Sequence, residues 1–87
     1  MRLINHYSPP AAENLQALKD SLGYSGAQMA DLAGVSGNSQ WRKYTGKTSQ
    51  RDMSLHILFY IAAQLALTED ELLRVIRKMQ DIGATTG

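Results

Sequence analysis

The sequence predicts an all-α chain of five short helices. Apolar residues recur at three- and four-residue spacing in one segment after another, and no strand pattern survives a pass along the chain. Cap residues precede these segments: Ser25-x-x-Gln28 and Thr68-x-x-Glu71 both fit a capping box, in which a hydroxyl and the third residue's side chain satisfy each other's amides. Glycines close them, at Gly23, Gly34, Gly46 and Gly83.

Residues 1–7 read as an extended arm. Ser8-Pro9-Pro10 reads as the cap and first turn of helix one, where proline's missing N–H costs nothing. Leu15, Leu18 and Leu22, with Ala11 or Ala12 before them, keep helical spacing up to Gly23. Helix two starts at the Ser25 cap and places Met29, Ala30, Leu32 and Ala33 on its apolar side. Gly34 stops it, and Val35 is expected to plug the core from the turn. Ser36 is the expected cap of helix three. Gly37, Asn38 and Ser39 are poor mid-helix residues but acceptable in a first turn. Trp41 and Tyr44 share one face, and Gly46 closes the helix.

Lys47 to Arg51 form a polar loop, and Asp52 or Ser54 caps helix four, from Met53 to about Ala66. That helix is apolar nearly all round (Leu55, Ile57, Leu58, Phe59, Ile61, Ala62, Leu65), which predicts a central buried helix. Helix five follows Thr68 and runs to about Asp81. It carries Leu72, Val75, Ile76, Met79 and Ile82 on one face and Arg74, Arg77 and Lys78 toward its end, where cations suit the helix dipole. Residues 84–87 are expected to fray.

The 87 residues are expected to form a single domain. There is no cysteine, which excludes a disulfide framework and a cysteine-based zinc site and suits a cytoplasmic setting. The longest apolar run, Ile57 to Ala63, is about a third of a membrane span, and the first ten residues show no apolar signal region. Four basic residues and no acid lie between Ser36 and Arg51 (Arg42, Lys43, Lys47, Arg51), whereas the rest of the chain holds five basic and eight acidic residues. A basic patch on a mildly acidic body is a footprint for a polyanion.

Nothing in the sequence asks for an enzyme, a metal, a cofactor or a small-molecule ligand. His6 and His56 are isolated, without a partner at ligand spacing. Gly46-Lys47-Thr48 ends like a phosphate-binding loop, but Trp41 stands where that loop needs its first glycine and no strand precedes it. Trp41 and Tyr44 offer ring faces for single-stranded bases, yet their helical spacing argues for core anchors.

Tyr24 to Lys47 has the physics of a helix-turn-helix. Gly34 tolerates the positive φ of a tight turn. Ala30, four residues upstream, lets the helices cross closely, and apolar Val35 follows the turn. This segment resembles the lambda-repressor/Cro-type helix-turn-helix regulators of phages and bacteria. The matching residues are Gln28, Ala30, Gly34, Val35, Ser36 and Gly46, and the five-helix plan extends the resemblance over roughly residues 9–82. One feature departs from that pattern. Apolar anchors in that family usually stand five and eight residues after the position of Val35. Here Gln40 and Lys43 hold those positions and the anchors Trp41 and Tyr44 come one residue later. Helix three therefore starts a residue later than usual there, or is rotated.

Helical geometry defines the reading face without the family's positions. At about 100° per residue, with Trp41 at zero, Tyr44 lies near −60° and the core direction near −30°. Ser39 (about 160°), Lys43 (about 200°) and Arg42 (about 100°) then point away from the core. Asn38 sits at the leading end and Gln40 on the flank. Asn suits adenine, and Arg and Lys suit guanine, in the major groove. The expected base-contacting residues are Asn38, Ser39, Arg42 and Lys43, with Gln40 behind them.

Phosphate contacts are expected from the amino ends of helices two and three, near Ser25, Gln28 and Ser36, and from the donor-rich Lys47, Thr48, Ser49, Gln50 and Arg51. In the family this chain resembles, the helix-two glutamine often touches the backbone. Major-groove readers of this type usually pair on half-sites about 34 Å apart, so a homodimer is expected, with Leu72, Val75, Ile76 and Met79 as its interface. The resemblance implies a cytoplasmic repressor of a phage or mobile-element operon that binds a palindromic double-stranded operator. The alternative is the same fold used as an antitoxin, adaptor or inhibitor that binds a protein.

Overall fold

In the computed structural model, residues 1–46 and 51–87 are described, and five helices and no strand occur among them. They are α1 (Ala12–Leu22), α2 (Gly26–Ala33), α3 (Asn38–Thr45), α4 (Leu55–Ala66) and α5 (Glu69–Ile82).

Both capping boxes form. Ser25 Oγ accepts from the Gln28 amide at 3.2 Å, and the Ser25 amide donates to Gln28 Oε1 at 2.8 Å. Thr68 and Glu71 repeat the arrangement at 3.2 and 2.8 Å. Gly34 sits at φ +72°, the left-handed geometry that a non-glycine residue adopts only with strain, and the Val35 amide reaches back to Ala30 O at 3.0 Å.

Three boundaries differ from the sequence expectation. Ser8 does not cap α1; the helix begins after Ala11, whose amide donates to Asn14 Oδ1 at 3.0 Å. Ser8 and Pro9 each precede a proline, which pushes both toward extended backbone. Ser36 does not cap α3 either. The glycine turn commits Val35 to the core, Ser36 lies in a bend, and extended Gly37 takes the cap position without any side-chain bond. Of the two candidates for α4, Ser54 is the cap, its Oγ accepting from the Ile57 amide at 3.3 Å.

The core consists of Leu15, Met29, Ala30, Ala33, Trp41, Tyr44, Met53 and Ile61. Leu18, Leu22, Leu32, Val35, Ile57 and Leu58 pack against it. It is drawn from α1 to α4 and the segment before α4. The N-terminal arm is tied to this centre, since the Tyr7 hydroxyl donates to Met53 O at 2.6 Å. Burial, then the charge of Asp52, push the Tyr7 phenol above its ordinary pKa.

α4 is not the central buried helix that its composition predicts. Only Ile61 is buried, while Phe59, Tyr60 and Leu65 are exposed. One side of α4 rests on α2, and no described helix covers the other. α5 buries no residue at all.

Candidate nucleic-acid interface

The α2–turn–α3 unit is held from beneath by α4. The ring of Tyr60 lies under the turn, close enough that a Cβ on Gly34 would stand 3.1 Å from Tyr60 Cε2. Gln64 Nε2 donates to Leu32 O at 2.7 Å and to Tyr60 O at 3.0 Å, which satisfies a carbonyl near the end of α2. Ala30 and Met29, fully buried, let α2 lie close against its neighbours.

α3 divides into two faces. Trp41 and Tyr44 are 1% and 5% exposed, with ring centroids 6.4 Å apart in an edge-on arrangement. Trp41 Nε1 is buried and meets no acceptor among the described residues, so this side chain anchors by packing. Ser39, Arg42 and Lys43 are exposed. Together with Gly46 they line a shallow groove of about 300 Å³. Gln40 is half-buried on the flank. The division follows the helical geometry read from the sequence.

Asn38 is exposed at the leading end of α3, but its carboxamide lies over Gly26 at the start of α2. A Cβ at Gly26 would coincide with Asn38 Oδ1. The leading ends of α2 and α3 therefore meet at this pair. Gly26 and Gln64 were not picked out by sequence reasoning. A glycine inside a capped first turn, where it lowers helix propensity and no turn requires it, was the available signal for Gly26. Gln64 carried none, because its partners are backbone carbonyls.

The expected phosphate-contacting residues are dispersed. Ser25 and Gln28 are exposed at the α2 cap and bonded to each other. Ser36 is exposed just ahead of α3. Arg51 is exposed, and its amide donates to Lys43 O at 2.7 Å, so the chain returns to the end of α3. Lys47, Thr48, Ser49 and Gln50 lie outside the described residues. Of the expected dimer residues, Leu72 is half-buried and Val75, Ile76 and Met79 are exposed.

Among the described residues, no three His, Cys, Asp or Glu side chains gather as a metal site, and no helix is long and apolar enough to cross a membrane. Set against protein-family models, curated proteins and solved structures, the chain matches none. The functional argument rests on the α3 face itself.

Proposed function

We propose that this chain is a sequence-specific double-stranded DNA-binding regulator of lambda-repressor-like fold. It acts in the cytoplasm as a dimeric repressor and lays α3 in the major groove of a palindromic operator. The observation that carries the reading is the two-faced α3. Buried aromatic rings fix one side, and Ser39, Arg42 and Lys43 stand open along a groove on the other.

An α-helix about 10–12 Å across matches a major groove about 12 Å wide. Arg42 and Lys43 supply donors for guanine O6 and N7, and Ser39 pairs with either partner type. Asn38 at the leading end is suited to adenine, and Gln40 supports from the flank. The uncapped first turn of α3 presents amide donors to a phosphate, with Ser36, Ser25, Gln28 and Arg51 around it.

Selection of binding sites from random duplex DNA tests the reading. A recovered palindrome is expected, with affinity that falls by several powers of ten as salt rises, as for proteins that make many phosphate contacts. Arg42→Ala combined with Lys43→Ala is expected to abolish selection while the fold persists, because both side chains are exposed. No enrichment and no shift of duplex DNA at low salt would remove the reading and favour a protein-binding role.

A further inference from the structure

α5 is the largest amphipathic surface without a partner. Leu72 is half-buried, whereas Val75, Ile76, Met79 and Ile82 are 49%, 37%, 46% and 78% exposed. Leu65, Leu67 and Phe59 extend the apolar surface onto α4 and the connection between the two helices, all of them exposed. Isolated exposed apolar residues need no explanation, but a continuous stripe on one helix face does.

The size of the surface matches a missing partner. A folded monomer of 9.6 kDa is expected to expose about 5,100 Å². This chain exposes 6644 Å². The excess is on the order of 1,500 Å², against about 800 Å² that each partner gives up in a standard interface. The radius of gyration agrees, at 14.2 Å against about 12 Å for a compact chain of this length.

Charge chooses the partner and its direction. At about 100° per residue, the stripe runs from Ile82 to Ile76, and Glu71 and Lys78 lie within about 20° of each other along one edge. They line the same shallow groove as Leu67, Arg74 and Val75. When two copies of a helix pack antiparallel about a two-fold axis, like edges meet and run in opposite senses. Glu71 of each copy then faces Lys78 of the other, twice per dimer. Parallel packing would instead bring Glu71 against the opposite edge, which begins with Glu69. The polar surface of α5 mixes Glu69, Asp70, Glu71 and Asp81 with Arg74, Arg77 and Lys78, which does not suit an anionic membrane.

We infer that α5 is the seat of a second copy of this chain, packed antiparallel with the two-fold axis near Val75 and with reciprocal Glu71–Lys78 pairs along its edge. This deepens the dimer part of the proposed function, yet it stands on area and charge and its test contains no DNA. A chain that pairs as described but shifts no duplex would leave this inference standing and remove the DNA reading.

The test combines sedimentation equilibrium with single cysteines introduced into this cysteine-free chain. The wild-type chain is expected to sediment as a concentration-dependent dimer. Glu71→Lys or Lys78→Glu alone is expected to raise the dimer dissociation constant about five- to thirty-fold, and the two together to restore it. Circular dichroism checks that each variant is folded. Val75→Cys is expected to cross-link to its mate under mild oxidation. Leu72→Cys and Met79→Cys, displaced about 9 and 12 Å along the axis from their mates, are expected not to. Cross-linking at all three positions, no rescue by the double charge reversal, a monomer at millimolar concentration, or monomeric binding to anionic vesicles would each overturn the inference.

Discussion

α3 and α5 are both amphipathic helices, but their apolar sides end in opposite situations. α3 has 8 residues and buries two aromatic rings against its own chain. α5 has 14 residues and buries none. Amphipathy shows that a helix face will be covered; it does not show by what. α1 and α2 cover α3, which fixes the outward direction of Ser39, Arg42 and Lys43. The α5 face is left to something outside the chain.

The largest test of this contrast removes one residue from each face. Trp41→Ala is expected to destabilise the fold by about 3–5 kcal/mol, since it opens a large cavity at the base of α3. Met79→Gln is expected to change monomer stability by less than about 0.5 kcal/mol, while it weakens association. Urea unfolding at a dilution where the chain is monomeric measures both. Similar midpoint shifts for the two variants would break the contrast.

A second pair of substitutions separates backbone strain from packing under the turn. Gly34 and Gly23 have nearly equal φ, +72° and +68°. Gly23→Ala meets nothing within 4 Å, so it reports strain alone, about 1–2 kcal/mol. Gly34→Ala adds a Cβ 3.1 Å from Tyr60 Cε2 and is expected to cost more. Thermal unfolding gives the difference, which measures how firmly α4 holds the turn that aims α3. Equal costs would show that Tyr60 yields freely.

Much of this arrangement was legible in the sequence, and the limits are physical. Local rules located α2, the Gly34 turn and the α5 start, because caps and positive-φ glycines depend on a few neighbouring residues. The inward anchors Trp41 and Tyr44 were legible because helical spacing alone sorts faces. The α1 start was misread because two successive X–Pro constraints outweighed a serine cap. The position of α4 was misread because an all-apolar composition is the same whether a helix is covered by its own chain or left open. The Asn38–Gly26 contact brings together residues twelve apart through tertiary packing, which no local pattern encodes.

That contact gives the third prediction. Gly26→Ala favours α2 by up to about 1 kcal/mol in helix propensity, but its Cβ takes the place of Asn38 Oδ1. Asn38 has a short, exposed side chain that can swing away. Stability is therefore expected to change little, while preference at the base read by Asn38 changes several-fold in parallel binding selections. A loss of stability without a change in preference would place Asn38 in the packing of α2 on α3 and remove it from the reading face.

The smallest effect separates the two capping boxes. They share one geometry, but only that of α5 contains a titrating group. The Thr68 amide and hydroxyl hold the Glu71 carboxyl below its ordinary pKa, the amide bond contributing most. The folded value lies below the unfolded one, so the stabilisation is fully present above the unfolded glutamate value and is lost as pH falls through the lowered folded value. The first turn of α5 is therefore expected to loosen in acid, while that of α2, closed by Gln28, stays shut. Glu71 is exposed, and the change is expected to be local and small. Amide chemical shifts of residues 69–72 followed from neutral to acidic pH measure it, with residues 26–29 as the internal reference. Glu71→Gln keeps the reciprocal bond without the charge and is expected to flatten the α5 profile. If the profile persists in that variant, the acid sensitivity comes from Glu69 or Asp70 in the first turn, and the α5 box behaves as the neutral one does.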